Sequence, residues 1–306
     1  MKIGLATNLS DPAAIVARCR EVGVRHVTMR AAAMPGAEEA GAPDLAAMRE
    51  IQARLAGEGI AISAMIAWFG SDAGIVLDPS GHRRHLDAAL RTLEVQGKLG
   101  IDTQLHYVDV AEPEDPAEDE RYWDGLLSVY RELVAQAEAS RVKLANHGIW
   151  RCLPDGMRED ALGQGVKSEN YRHYRPPDWR GPYLVRTADH VRRLIDEVPS
   201  DYNGAAMCTG MYITGADPVA EIPKFKGKIN FVQIRDLDGH WPAAREVFPG
   251  TGDLDFPLII RALREAGYAR FMHPEHLGHP RHQGEDLELA ATELLKEWVA
   301  GAEGAQ

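Results

Sequence analysis

The chain has 306 residues, with 34 basic and 46 acidic side chains and a formal net charge of −12. This acidic balance, without a dense basic cluster, argues against nucleic acid as a partner. No apolar run approaches the roughly 20 residues that cross a bilayer, and the first residues, "MKIGLATNLS", lack a signal-peptide layout. We therefore expect a cytoplasmic protein that has no membrane partner.

Short apolar runs alternate with longer helical patterns along the whole chain, which is typical of repeated βα units around a parallel sheet. The predicted strands cover residues 2–7, 25–30, 60–68, 101–108, 141–148, 202–210, 229–236 and 269–276. The predicted helices cover residues 11–21, 44–56, 81–98, 119–140, 187–197, 217–225, 255–266 and 284–299. Eight such units favour a single (β/α)8 TIM barrel, one domain over residues 1–306, rather than a doubly wound sheet.

The segment 150–183, "WRCLPDGMREDALGQGVKSENYRHYRPPDWRGPY", interrupts this alternation. It is rich in Gly, Pro, Arg and aromatic residues and has no sustained period. Loops of this length in a compact domain are uncommon and often functional. Because it follows the fifth strand, we expect an active-site lid, with an oligomer-contact or surface loop as the alternative.

Polar residues stand at the ends of the last four predicted strands. These are His147 in "ANHG", Cys208 in "AMCTG", Gln233 in "VQIRD" and Glu275 in "HPEH". In a TIM barrel the carboxyl ends of neighbouring strands meet at one rim, where the chemistry is carried out. An imidazole, a thiolate, an amide oxygen and a carboxylate at this rim predict a divalent-metal site.

Each candidate also has a simpler interpretation. Cys208 alone could be a small buried hydrophobic residue, and His147 alone could be a hydrogen-bonded structural histidine. Glu275 follows the apolar run "ARFM", so a partly buried carboxylate there needs a partner. The occurrence of all these residues at successive strand ends favours the metal site. Of the nearby histidines we favour His276 as functional, because strand alternation is expected to point His273 away from the rim.

Two longer stretches resemble a known superfamily. "FVQIRDLDG" followed by "FPGTGDLDFPLIIRALREAGYARFMHPEH" resembles the final third of the xylose-isomerase-like barrels of sugar and sugar-acid enzymes. The cysteine in "CTG", the stretch "DPVAEIPKFKGKINFVQIRD" and the acid-histidine pair after the eighth strand resemble the metal-dependent mannonate dehydratases more narrowly. The specific matches cover roughly residues 203–276, and the first half agrees only in its alternation of strands and helices.

The resemblance implies a metal site and a catalytic residue. In that family a histidine, a cysteine, a histidine and an aspartate on strands five to eight hold the metal, usually Mn²⁺. For this chain we expect Mn²⁺, with Mg²⁺, Fe²⁺, Co²⁺ or Zn²⁺ as alternatives. The matching positions here are His147, Cys208, Gln233 and Glu275, and the family's catalytic histidine falls on His276. Two positions depart from the family: Gln233 replaces a nitrogen ligand by a weaker neutral oxygen, and Glu275 is one methylene longer than aspartate.

The implied reaction is dehydration of a sugar acid, a mannonate-like aldonate, to a 2-keto-3-deoxy acid. His276 would act as base or acid, and the guanidinium of Arg235 would clamp the substrate carboxylate. The family's downstream tyrosine is missing, and Tyr171 or His173 from segment 150–183 could replace it as proton donor. We also expect a homodimer or homotetramer, which is common for such barrels.

Two other functions remain open. Sugar isomerases and epimerases of the superfamily usually place acids on strands five and eight, but Asn146 and His147 end the fifth strand here. The other possibility is a non-catalytic binding barrel with a decayed metal site, which the change at Gln233 motivates.

Overall fold

The predicted barrel is present in the computed structural model, which describes residues 1–68, 83–108, 110, 116–148, 184–185, 187–240, 244–277 and 286–304. The strands are β1 (Lys2–Ile3), β2 (Leu5–Thr7), β3 (His26–Arg30), β4 (Ala61–Trp68), β5 (Thr103–Tyr107), β6 (Lys143–His147), β7 (Asn203–Cys208), β8 (Ile229–Ile234), β9 (Asp236–Asp238), β10 (Arg245–Val247) and β11 (Phe271–Pro274). The α-helices are α1 (Pro12–Val22), α2 (Ala37–Ala40), α3 (Leu45–Gly57), α4 (Arg83–Leu99), α5 (Asp119–Ser140), α6 (Ala188–Glu197), α7 (Pro218–Glu221), α8 (Phe256–Glu265) and α9 (Leu287–Gly304).

The first strand segment closes the sheet into a ring. The parallel order is β1-β11-β8-β7-β6-β5-β4-β3-β2, so the two edges of the sheet, β1 and β2, are consecutive pieces of one segment. Gly4 lies between the two pieces, and a Cβ there would come within 2.1 Å of the carbonyl oxygen of His26. Glycine therefore allows the close approach at which the segment passes from one neighbour to the other. The prediction of a single α/β TIM barrel is confirmed.

The strands separate two apolar layers. Outward-facing side chains such as Val27 and Met29 pack with those of α1 and α3. The barrel interior is filled by inward-facing residues, including Leu105, Phe231 and Phe271. This alternation fixes which polar side chains at the strand ends enter the mouth of the barrel and which face the helices.

Arg18 links the first helix to the start of the last one. From α1, its Nη2 lies 2.7 Å from Asp286 Oδ1 and its Nε lies 2.9 Å from Glu288 Oε2. The Arg18 hydrogen bonds outweigh partial burial and lower the pKa of the Asp286 carboxyl to about 2. This ionic network joins the two ends of the chain on the outside of the barrel.

Two local features differ from the sequence predictions. The predicted helix over 217–225 is the short α7 followed by a 3₁₀ turn, Ile222–Phe225, because Pro223 cannot donate to an α-helical ladder. The antiparallel hairpin β9–β10 was not predicted, and it pairs Leu237 with Glu246. Segment 150–183 lies outside the described residues. In the described part of the chain, no helix is both long and apolar enough to cross a membrane.

Candidate active site

Three of the four predicted metal ligands meet at the carboxyl-terminal mouth of the barrel. His147 is the last residue of β6, Cys208 is the last residue of β7, and Glu275 directly follows β11. Their ligand atoms all lie within 4.8 Å of one another. One imidazole nitrogen, one sulfur and one carboxylate oxygen therefore converge as the strand ends predicted.

The backbone carbonyl of the next residue, Gly148, orients the His147 ring. Its Nδ1 hydrogen-bonds to the carbonyl oxygen of Gly148, so Nδ1 carries the proton and Nε2 carries the lone pair. The ring also packs against Tyr107, with 4.8 Å between centroids. A metal-binding histidine usually has its second nitrogen held in this way, which fixes both the tautomer and the ring orientation.

Cys208 and Glu275 are in direct contact. The Cys208 thiol donates to Glu275 Oε1 at 3.2 Å, and the backbone N–H of Gly210 points at the sulfur from 3.4 Å. Burial raises the pKa of the Cys208 thiol far above its ordinary value, and the nearby Glu275 carboxylate adds to the rise. Without a cation the sulfur is thus a protonated donor, and metal binding must displace its proton.

The fourth predicted ligand, Gln233, lies beside Glu275. Its Nε2 donates to Glu275 Oε2 and lies 3.4 Å from the hydroxyl of Tyr107. Its Oε1 is buried and accepts no hydrogen bond in the described part of the chain. A buried acceptor without a donor is costly, and a cation at the cluster would satisfy it. Gln233 is therefore placed either to bind the ion through Oε1 or to hold Glu275 in position.

The carboxyl of Glu275 is held in its charged form. Burial alone would raise its pKa, but electrostatic interactions with the neighbouring His276, Arg235 and His147 side chains outweigh burial and lower the pKa to about 2. A carboxylate that stays ionised while partly buried is a suitable ligand for a divalent cation.

His276 and Arg235 are connected by a residue that the sequence analysis missed, Glu246 of the β9–β10 hairpin. Glu246 Oε2 lies 3.1 Å from His276 Nδ1, and Oε1 lies 2.8 Å from Arg235 Nη1. The Glu246 side chain is only 7% exposed. His276 has a φ of 47°, a left-handed conformation that is uncommon for a residue other than glycine. Non-glycine residues in this region cluster at functional sites, where the surrounding contacts hold them.

Arg235 is buried at the site and does not face the solvent. Its side chain is 4% exposed and packs over Gly210, where an added Cβ would lie 1.8 Å from Arg235 Nε. Its neighbour Asp236 accepts backbone hydrogen bonds from Gly250 and Gly252, both at 2.8 Å. Arg235 and Asp236 thus anchor different parts of the hairpin and its return segment.

One orientation was wrong, and two predicted residues are not described. His273 does not point away from the rim, because it shares the face of Phe271 and its ring lies 5.4 Å from that of Phe231 in the barrel interior. Tyr171 and His173 lie outside the described residues. Glu246 had one possible signal in the sequence, since a buried arginine after a strand needs a carboxylate partner. Nothing in "WPAAREVFPG" distinguished that carboxylate from an exposed one.

The fold is a TIM barrel whose polar groups lie at the carboxyl-terminal mouth, the place where TIM-barrel enzymes carry their active sites. The family described as xylose isomerase-like TIM barrel matches residues 172–298, which confirms the superfamily resemblance. Among solved structures, the chain superimposes on the mannonate dehydratase of Streptococcus suis serotype 2 with a TM-score of 0.72 and 15% identity, covering 100% of this chain and 95% of that one. It also superimposes on an L-ribulose 3-epimerase (TM-score 0.70, 18% identity, covering 99% and 96%) and on the IOLI protein with a binding zinc atom (TM-score 0.67, 17% identity, covering 99% and 98%). At these identities the likeness shows the fold.

Curated relatives narrow the resemblance to mannonate dehydratases. The chain is 28% identical over 170 residues to Mannonate dehydratase 1 of Halalkalibacterium halodurans, which covers 52% of this chain and 39% of that protein. It is 28% identical over 137 residues to the mannonate dehydratase of Thermotoga neapolitana, covering 39% and 37%. The chain thus spans about two fifths of the length of these relatives.

Proposed function

We propose that the protein is a metal-dependent lyase that dehydrates a sugar acid, a mannonate-like aldonate, to a 2-keto-3-deoxy acid. The observation that carries this proposal is the convergence of His147, Cys208 and Glu275 within 4.8 Å beside His276 at the mouth of the barrel. The similarity to proteins named mannonate dehydratase supports the choice of reaction and substrate.

The donor set suits a divalent cation. It combines a nitrogen, a sulfur and a carboxylate oxygen, and the buried Oε1 of Gln233 is an acceptor in need of a partner. We propose Mn²⁺ as the natural ion, with Mg²⁺, Fe²⁺, Co²⁺ or Zn²⁺ as alternatives. When bound, the ion would supply Lewis-acid stabilisation of the negative charge that develops on the substrate.

His276 would move the proton at the carbon next to the substrate carboxylate. Its Nδ1 is engaged by Glu246, which leaves Nε2 as the nitrogen that can accept or donate a proton. Glu246 is itself held by Arg235, so the three side chains form a chain of contacts ending at His276. Because its Nη1 is engaged by Glu246, Arg235 fixes Glu246 in this proposal and does not clamp the substrate carboxylate.

Departure of the hydroxyl needs a proton donor, and we propose Tyr171 or His173 from segment 150–183. The same segment is proposed as the lid or oligomer contact of a single domain over residues 1–306. We further propose a homodimer or homotetramer, to be measured by light scattering.

The test is product analysis on a panel of six-carbon aldonates with the Mn²⁺-loaded protein. We expect the wild type to form a 2-keto-3-deoxy acid, His276→Ala to lose activity at least about a hundredfold, and His85→Gln on the outer helix α4 to keep it. Turnover by His276→Ala at the wild-type rate would remove His276 from the mechanism. Formation of no keto-deoxy acid from any aldonate would remove the dehydratase proposal.

A sugar isomerase or epimerase is the second candidate, and the same assay separates it, because only dehydration yields a keto-deoxy acid. The structure gives it less support, since Asn146 is fully buried and faces Tyr130 and Asn203 with its amide. It therefore supplies no second acid to the site. The third candidate, a non-catalytic binding barrel with a decayed metal site, differs from both enzymes because it would bind no metal.

A further inference from the structure

A sugar-acid substrate brings a carboxylate, and its recognition calls for a cation that is free to bind it. Arg235 does not meet this condition, because it is 4% exposed and its Nη1 lies 2.8 Å from Glu246. His147 is held by the Gly148 carbonyl and His276 by Glu246. Among the described residues, the next candidate for this cation lies at another strand end.

Arg30, the last residue of β3, is such a cation. Val27 and Met29 of the same strand face the outer helices, so Thr28 and Arg30 lie on the opposite, inward face. Arg30 pairs in register with Ile66, which belongs to the barrel interior. At the carboxyl end of its strand, Arg30 is placed at the mouth of the barrel, where its side chain is exposed.

Nothing described in the chain neutralises this guanidinium. No hydrogen bond or ion pair to Arg30 is found within the described ranges, in contrast to Arg18, Arg83 and Arg193, whose guanidinium groups each contact two or more acidic residues. An exposed, uncompensated guanidinium at the mouth of a concave site is an anion-binding group, because its planar fork matches two carboxylate oxygens.

We propose that Arg30 binds the carboxylate of the substrate and determines the preference of the site for sugar acids over neutral sugars. This inference rests on the proposed function and adds to it the residue that selects an anionic substrate. It also replaces Arg235 in the role of carboxylate clamp.

The experiment compares the wild type, Arg30→Gln, Arg30→Lys and the matched control Arg261→Gln, which lies exposed on α8. Calorimetry on the Mn²⁺-loaded proteins, each also carrying His276→Ala so that mannonate is bound but not turned over, measures the binding of mannonate and of mannitol, its uncharged counterpart of equal length. For the wild type and Arg261→Gln we expect mannonate to bind at least about tenfold more tightly than mannitol, the value of a charge-assisted paired hydrogen bond. Arg30→Gln should lose this preference with its affinity for mannitol unchanged, and Arg30→Lys should keep part of it. In turnover, Arg30→Gln should raise KM more than it lowers kcat, with metal content and Tm unchanged.

Two outcomes overturn the inference and can be told apart. If the wild type prefers mannonate and Arg30→Gln keeps the full preference, Arg30 is not the clamp and the dehydratase proposal stands. If the wild type shows no preference for any aldonate over its alditol, both the clamp and the sugar-acid function are wrong.

Discussion

The Glu246 carboxylate lies 3.1 Å from His276 Nδ1, although the two residues are 30 positions apart in the sequence. The hairpin β9–β10 leaves the barrel after β8 and returns Glu246 to the end of β11. His276 is therefore held both by its left-handed backbone and by a buried carboxylate. This contact orients the imidazole of His276, as its proposed acid-base role requires.

Glu246→Gln should lower kcat about tenfold to a hundredfold, the usual effect of removing a carboxylate that orients a functional histidine. The glutamine keeps the size of the side chain but loses the charge shared by His276 and Arg235. KM and metal content should change much less than kcat. Steady-state kinetics checks this, with Glu265→Gln on the surface of α8 as control. Wild-type kcat in Glu246→Gln would show that the contact has no role in turnover.

Gln233→His should tighten metal binding about tenfold or more, because imidazole is a stronger ligand than an amide oxygen for Mn²⁺ to Zn²⁺. Gln233→Ala, which also removes the amide that holds Glu275, should weaken binding. Competition against a chelating dye measures both dissociation constants. Weaker binding in both variants would mean that the amide itself, through Oε1 or through its bond to Glu275, is the better partner for the ion.

Metal binding should release about one proton per ion at neutral pH. Burial raises the pKa of the Cys208 thiol in the metal-free site, so the thiol is protonated there and must ionise to become a ligand. Apparent affinity should consequently rise with pH. Calorimetry in two buffers of different ionisation enthalpy counts the protons. A count of zero would exclude Cys208 as a thiolate ligand.

The Arg18–Asp286 network should make stability fall as the solution becomes acidic. The pKa of Asp286 is lowered from 3.8 to about 2, so its contribution is complete above pH 3.8 and is lost as pH falls through 2. Asp286→Asn should be less stable by about 1 kcal/mol at pH 6, since the pair is partly exposed. Urea unfolding at pH 6 and near pH 2 measures this difference, which should shrink in acid. The matched variant Glu297→Gln, which lies exposed on α9, should show no such trend.

The sequence was sufficient to predict the barrel and the convergence of three candidate ligands, because both follow from short-range patterns. Eight strand-helix units define the sheet, and a parallel sheet brings its strand ends together whatever their separation in sequence. His147, Cys208 and Glu275 could therefore be placed without knowledge of any side-chain contact.

The contacts around these ligands could not be predicted in the same way. The hairpin strands are three residues each, which is too short for a detectable hydrophobic period. Neither the position of Glu246 nor its bond to Arg235 could therefore be predicted from the sequence. The orientation of the Gln233 amide depends on Glu275 and Tyr107, which come from distant strands. The predicted orientation of His273 was wrong because Phe271 and His273 share the inward face of β11.

The most direct test of the metal centre is elemental analysis of the wild type and Cys208→Ala after both are incubated with Mn²⁺ and freed of unbound ion. The account predicts about one ion per chain in the wild type and a strongly reduced content in the variant, with both proteins folded by circular dichroism. No bound metal in the wild type, or equal content in the two proteins, would contradict a metal site at His147, Cys208 and Glu275.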